Sequence, residues 1–95
     1  TELTIASGAI TVTQSFHKVD TEADAATDNL DTINGGHTGQ ILYLKPADSG
    51  RDVTLTESGN ILLPGSTVAF TNAADLIQLL FDGSNWLLVS TADNA

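Results

Sequence analysis

A chain of 95 residues has room for one hydrophobic core and not for a second domain, so a single domain over 1–95 is expected. It has no cysteine, which excludes disulfide staples and thiolate metal sites and leaves packing and backbone pairing to hold the fold. Twelve carboxylates against Lys18, Lys45 and Arg51 give a formal charge of −9, which repels phosphate backbones and anionic lipid and argues against nucleic acid and membrane as partners, while keeping a small protein soluble.

At the start of the chain no positively charged, apolar stretch resembles a signal peptide. Thr1 is a small residue compatible with removal of an initiator methionine, so a complete gene product is expected. Leu3-Thr4-Ile5 and Ile10-Thr11-Val12-Thr13 alternate β-branched and polar residues and predict half-buried strands. Similar runs follow at Phe16 to Val19, Gln40 to Lys45, Asp52 to Thr56, Val68 to Thr71, Leu76 to Phe81 and Trp86 to Ser90. Between them stand turn signals: Ser7-Gly8, Asn34-Gly35-Gly36, Ser49-Gly50, Ser58-Gly59, Pro64-Gly65 and Asp82-Gly83. The last, with Ser84 and Asn85, predicts a hairpin turn.

One stretch breaks this rhythm: residues 20–28 are acidic and alanine-rich, and Thr21 with Asp24 approaches a capping box, so a helical turn and an ordered loop both fit. A faint repeat links 3–10 with 53–61 and suggests two related β units stacked in one domain. The longest uninterrupted apolar runs, Ile41 to Leu44 and Trp86 to Val89, are far short of the roughly 20 residues that span a bilayer. The expected fold is all-β: a compact antiparallel sandwich, barrel or prism-like module, with at least seven strands and at most one short helix.

No residue pattern specifies catalysis, a cofactor or a metal. His17 and His37 are the only imidazoles and lack the clustered ligand spacing of a transition-metal site, so structural or solvent-exposed roles are expected for both. Asp20, Glu22, Asp24 and Asp31 loosely imitate a calcium loop, but Ala25 stands where that loop needs glycine and Asp31 is shorter than the bidentate glutamate. The glycine-rich loop at 34–39 lacks the lysine and following helix of a phosphate-binding loop. No Gly-x-Ser-x-Gly elbow supports nucleophilic catalysis, so a non-enzymatic role is expected.

The informative feature is apolar crowding in the last two strands. Leu76-Ile77, Leu79-Leu80-Phe81 and Trp86-Leu87-Leu88-Val89 put large hydrophobic residues on both faces, and so small a domain cannot cover both. A neighbouring subunit is expected to bury the second face, with Leu80, Phe81, Trp86 and Leu88 at the contact.

The run Leu30-Asp31-Thr32-Ile33-Asn34-Gly35-Gly36-His37-Thr38-Gly39-Gln40-Ile41-Leu42-Tyr43-Leu44, followed by Phe81-Asp82-Gly83-Ser84-Asn85-Trp86, resembles β modules of tailed-bacteriophage structural proteins, which occur in tail fibres, spikes and other virion surface proteins. The resemblance extends from Ile10 to Ser90 and includes residues 16–22. It implies a virion-surface component that forms a homotrimer and contacts other virion proteins such as the major capsid protein; it supplies no catalytic residues. The chain shows no coiled-coil heptads, collagen-like repeat or particle-attachment domain before the β module, so a capsid-exterior decoration or head-fibre protein is the expected role. The alternative is a receptor-binding module of a tail fibre or spike, with loops 35–39 and 82–85 meeting a host receptor. An accessory domain of a cell-wall hydrolase is a third reading.

Overall fold

The computed structural model describes residues 2–65 and 67–92; Thr1, with the expectation about the start of the chain, lies outside them. The described residues form eleven strands and one 3-10 turn with no α-helix, so the expected all-β class holds. In chain order the strands are β1 (Glu2–Thr4), β2 (Ala9–Thr11), β3 (Phe16–Asp20), β4 (Thr27–Leu30), β5 (Thr32–Asn34), β6 (Ile41–Pro46), β7 (Asp52–Thr56), β8 (Ile61–Leu62), β9 (Thr67–Phe70), β10 (Leu76–Phe81) and β11 (Trp86–Ala92).

They build three sheets: six strands in the order β1-β3-β6-β10-β11-β8, three in the order β4-β7-β9, and the pair β2-β5. Ile10 and Ile33 from the pair, Leu30, Leu55 and Phe70 from the three-stranded sheet, and Leu42, Leu79 and Trp86 from the six-stranded one share a single hydrophobic cluster. Three walls around one core correspond to the prism-like alternative. Alternation explains why each wall contributes: the β-branched and aliphatic positions of a strand fall on one side of the pleat and meet in the interior.

The expectation of antiparallel pairing needs correction. β6–β10, β10–β11 and β7–β9 are antiparallel, but β1–β3, β3–β6, β4–β7, β2–β5 and β8–β11 are parallel. The cause is the route of the chain. From β3 it runs through β4 and β5 before β6 returns beside β3, and β7 then lies beside β4 in the same direction. A parallel neighbour needs a long crossover, and here the intervening strands are that crossover. Only after β8 does the chain reverse, with β9 and β10 running back along β7 and β6.

Two glycines explain the faint repeat. Gly8, at φ +80°, has the Asp31 carboxylate where a Cβ would stand, and Gly59 has the Asp31 carbonyl in that place. Both Ser-Gly turns therefore pack against one corner of the winding, at Asp31. Gly8 accepts the Asp31 and Thr32 N–H groups through its carbonyl at 2.9 and 3.2 Å, and Asn60 donates its N–H to the Asp31 carbonyl at 3.1 Å. The likeness is local to these turns, because β1 belongs to the six-stranded sheet and β7 to the three-stranded one.

Asn60 also joins the two-stranded wall to the closing hairpin. Its side-chain amide accepts the Ile33 N–H and donates to the Ile33 carbonyl, both at 2.8 Å, as a neighbouring strand would. Its own carbonyl accepts the Trp86 N–H at 2.7 Å. The hairpin is the one expected: β10 and β11 pair with Leu80 opposite Leu87 and Phe81 opposite Trp86. Within its turn, Asp82 Oδ1 accepts the N–H groups of Ser84 and Asn85 at 2.9 and 2.8 Å, and Gly83 takes φ +104°.

The acidic stretch resolves into a single 3-10 turn, Glu22–Asp24, with Ala23 and Asp24 both at φ 56°. Thr21 does not cap it; its hydroxyl donates instead to the Ala25 carbonyl at 2.6 Å.

Candidate interaction surface

The outward side of the six-stranded sheet carries the most unusual chemistry among the described residues. Pleating places alternate residues outside, and strand register lines them up in rows. One row runs Ile41, Leu80, Leu87, Leu62 across β6, β10, β11 and β8, each the register partner of the next. Ile41 is 44% exposed and Leu62 43%, with Leu80 and Leu87 half-buried between them. A second row runs Phe16, Tyr43, Gln78, Ser90, with both rings exposed and the Ser90 hydroxyl 3.2 Å from Gln78 Oε1. A third holds Glu2, Lys18 and Lys45. The β10–β11 register shifts between Gln78 and Leu79, which leaves Val89 unpaired at a bulge and 55% exposed.

The residues expected at a subunit contact divide between the two sides of this sheet. Leu80 faces outward. Trp86 does not, and its placement at a contact is corrected: it is fully buried in its own chain, and its Nε1–H donates to the Ile33 carbonyl at 3.2 Å. Phe81 and Leu88 pack partly buried against the same core, and the Phe81 ring centroid lies 4.9 Å from that of Trp86. The cause is Gly36. A Cβ there would lie 2.7 Å from Trp86 Cζ2 and 3.1 Å from the Phe81 ring, so the Asn-Gly-Gly loop leaves room for both rings to turn inward. The outward row draws on Ile41 and Leu62, which lie on strands far from the hairpin in sequence.

The other two walls differ. Thr27, Asn29, Thr54 and Ala69 face outward from the three-stranded sheet, and Thr11 and Asn34 from the pair. Most carboxylates sit at the connections between walls and are engaged there. Asp20 Oδ1 receives the Arg51 Nε–H at 2.6 Å, with Asp48 and Asp24 3.7 and 3.9 Å from the guanidinium. Its hydrogen bond to Asp20 holds the Arg51 pKa above its usual value. Glu22 accepts the Ser7 N–H at 3.0 Å and Asp28 the Glu22 N–H at 2.8 Å. Of the residues that imitate a calcium loop, Asp20 and Asp24 thus lie beside Arg51, Glu22 accepts from Ser7 and Asp31 accepts from the Thr32 hydroxyl, and among the described residues no group of three or more His, Cys, Asp or Glu is placed to hold a metal ion.

Of the imidazoles, His17 is buried and its Nε2 accepts the N–H groups of Thr13 and Gln14, both at 3.1 Å, while His37 is exposed. A cleft of about 240 Å³ opens between β9 and the far end of β10–β11. Its carboxylate, Asp75, is used to cap the N–H groups of Thr71 and Asn72 at 3.2 Å. The loops expected to meet a receptor lie side by side: the Gly39 N–H donates to the Phe81 carbonyl at 2.8 Å, and a Cβ on Gly83 would stand 3.0 Å from Thr38 Oγ1. Among the described residues no helix is long and apolar enough to cross a membrane.

No protein-family model and no curated protein matches the chain.

Proposed function

We propose that this chain is a non-enzymatic structural protein of the virion exterior, a decoration or head-fibre protein that assembles as a homotrimer and binds the assembled shell. The observation that carries the reading is the exposed row Ile41, Leu80, Leu87, Leu62 on a chain of formal charge −9. Large aliphatic groups lined up on a sheet face are unfavourable in water and are a feature of association surfaces. The virion assignment and the count of three rest on the resemblance to phage β modules. The mechanism is linkage: a protein that binds the assembled lattice and not its free subunits shifts the equilibrium toward the lattice.

A second reading, a receptor-binding module of a tail fibre or spike, is favoured by the adjacency of loops 35–39 and 82–85 at one end of the fold. Particles produced without this chain separate the two. Decoration predicts normal adsorption to the host with capsids that fail at lower temperature. Receptor binding predicts lost adsorption with capsid stability unchanged, and particles altered in neither respect would overturn both.

A further inference from the structure

We infer that the outward face of the six-stranded sheet is where a second copy of this chain docks, through Ile41, Tyr43, Leu80, Leu87 and Leu62. This deepens the homotrimer reading, on which it rests, by naming the surface and the partner.

Charge selects the occupant. Copies of −9 repel, so they can approach closely only where their carboxylates are sparse. Among the described residues the carboxylates on this face are Glu2 at one edge and Asp20 at one end, with Asp82 at the hairpin tip, and Asp20 is held by Arg51. Lys18 and Lys45 stand on the same face, and among the described residues neither forms a salt bridge. The face is therefore poor in carboxylates for its size, and the large hydrophobic residues exposed among the described ones, Phe16, Ile41, Tyr43, Leu62 and Val89, lie on its strands; the same is true of the copy that meets it. A membrane or nucleic acid would still encounter the acidic connections around it.

Size fits as well. Six strands at about 4.8 Å spacing make a face about 29 Å wide, within a molecule of 33 × 26 × 25 Å. Most of such a face is needed to supply the roughly 800 Å² per partner of a stable contact. The row of Tyr43, Gln78 and Ser90 beside the aliphatic row adds neutral hydrogen-bonding groups that favour one register over others.

Sedimentation equilibrium at micromolar concentration tests this on the unmodified chain, Leu80→Glu/Leu87→Glu, and a Thr54→Glu control on the three-stranded wall. The expected result is a trimer for the first and the control, and a folded 9.9 kDa monomer for the double variant, with a dissociation constant raised at least about a hundredfold by like charges brought together. If that variant fails to fold, Ile41→Glu/Leu62→Glu reads the same face at positions already more than two-fifths exposed. An unmodified chain that stays monomeric overturns the homotrimer reading and this inference together. A trimer left intact by folded face variants overturns the inference alone. A dimer split by them supports the face and overturns the count of three.

Discussion

The six-stranded and three-stranded sheets share one core yet present opposite chemistry to the outside. Behind them the side chains are equivalent: Leu42, Leu79 and Trp86 on one wall, Leu55, Val53 and Phe70 on the other. In front, the three-stranded wall shows Thr27, Asn29 and Thr54, the ordinary alternation of a sheet with one wet side, while the six-stranded wall shows Ile41, Leu80, Leu87 and Leu62. A strand that is apolar on both faces is not needed to close this core, because the polar-faced wall closes it equally well. Among the described residues the second apolar face belongs to the six-stranded sheet, and closing the core does not require it.

That comparison predicts a hierarchy of effects. Substitutions behind either sheet cost most and cost alike: Trp86→Ala loses about 3–5 kcal/mol and Leu55→Ala about 2–5 kcal/mol in denaturant unfolding. A large asymmetry would show that the walls do not share one core. Next comes the seam. Asn60→Ala removes both side-chain bonds to Ile33 and leaves its amide without that partner, a loss of about 2 kcal/mol.

Smaller is the pH dependence at the hairpin tip, at one end of the apolar face. Backbone N–H donation from Asn85 and then Ser84 lowers the Asp82 pKa below its unfolded value of 3.8. A lowered folded pKa contributes stability above 3.8 that is lost as pH falls through the folded value. The urea midpoint of Asp82→Asn should therefore fall less than that of the unmodified chain between pH 5 and strongly acidic conditions, about pH 2. Smallest is Thr54→Val on the polar wall, expected to change stability by no more than about 0.5 kcal/mol and to leave association untouched. A new oligomer from that single change would mean that the walls differ less than their side chains suggest.

Local chemistry made some of this legible in the sequence. Alternation and turn residues identified the all-β class and the β10–β11 hairpin, since Asp-Gly between apolar runs specifies a reversal within a few residues. The parallel winding was not legible. Alternation marks which residues share a face, but the partner of β3 lies beyond two further strands, and β4, β5 and β8 are too short or too polar to stand out. The same limit applies to the surface. Period two separates Leu80 and Leu87 from Phe81, Trp86 and Leu88 but does not say which set turns inward; that choice depends on Gly36, from a distant loop, making room for the rings. Ile41 and Leu62 join the outward row only through register with β10 and β11.

The central claim, that the outward apolar face is covered by another copy, is tested most directly at Tyr43, the single tyrosine of the chain, which lies on that face and is 37% exposed in the isolated protomer. Its rate of nitration can be followed in the unmodified protein at micromolar concentration and in Ile41→Glu/Leu62→Glu. The account predicts a protected ring in the first and a freely reactive one in the second; equal, rapid nitration in both would contradict it.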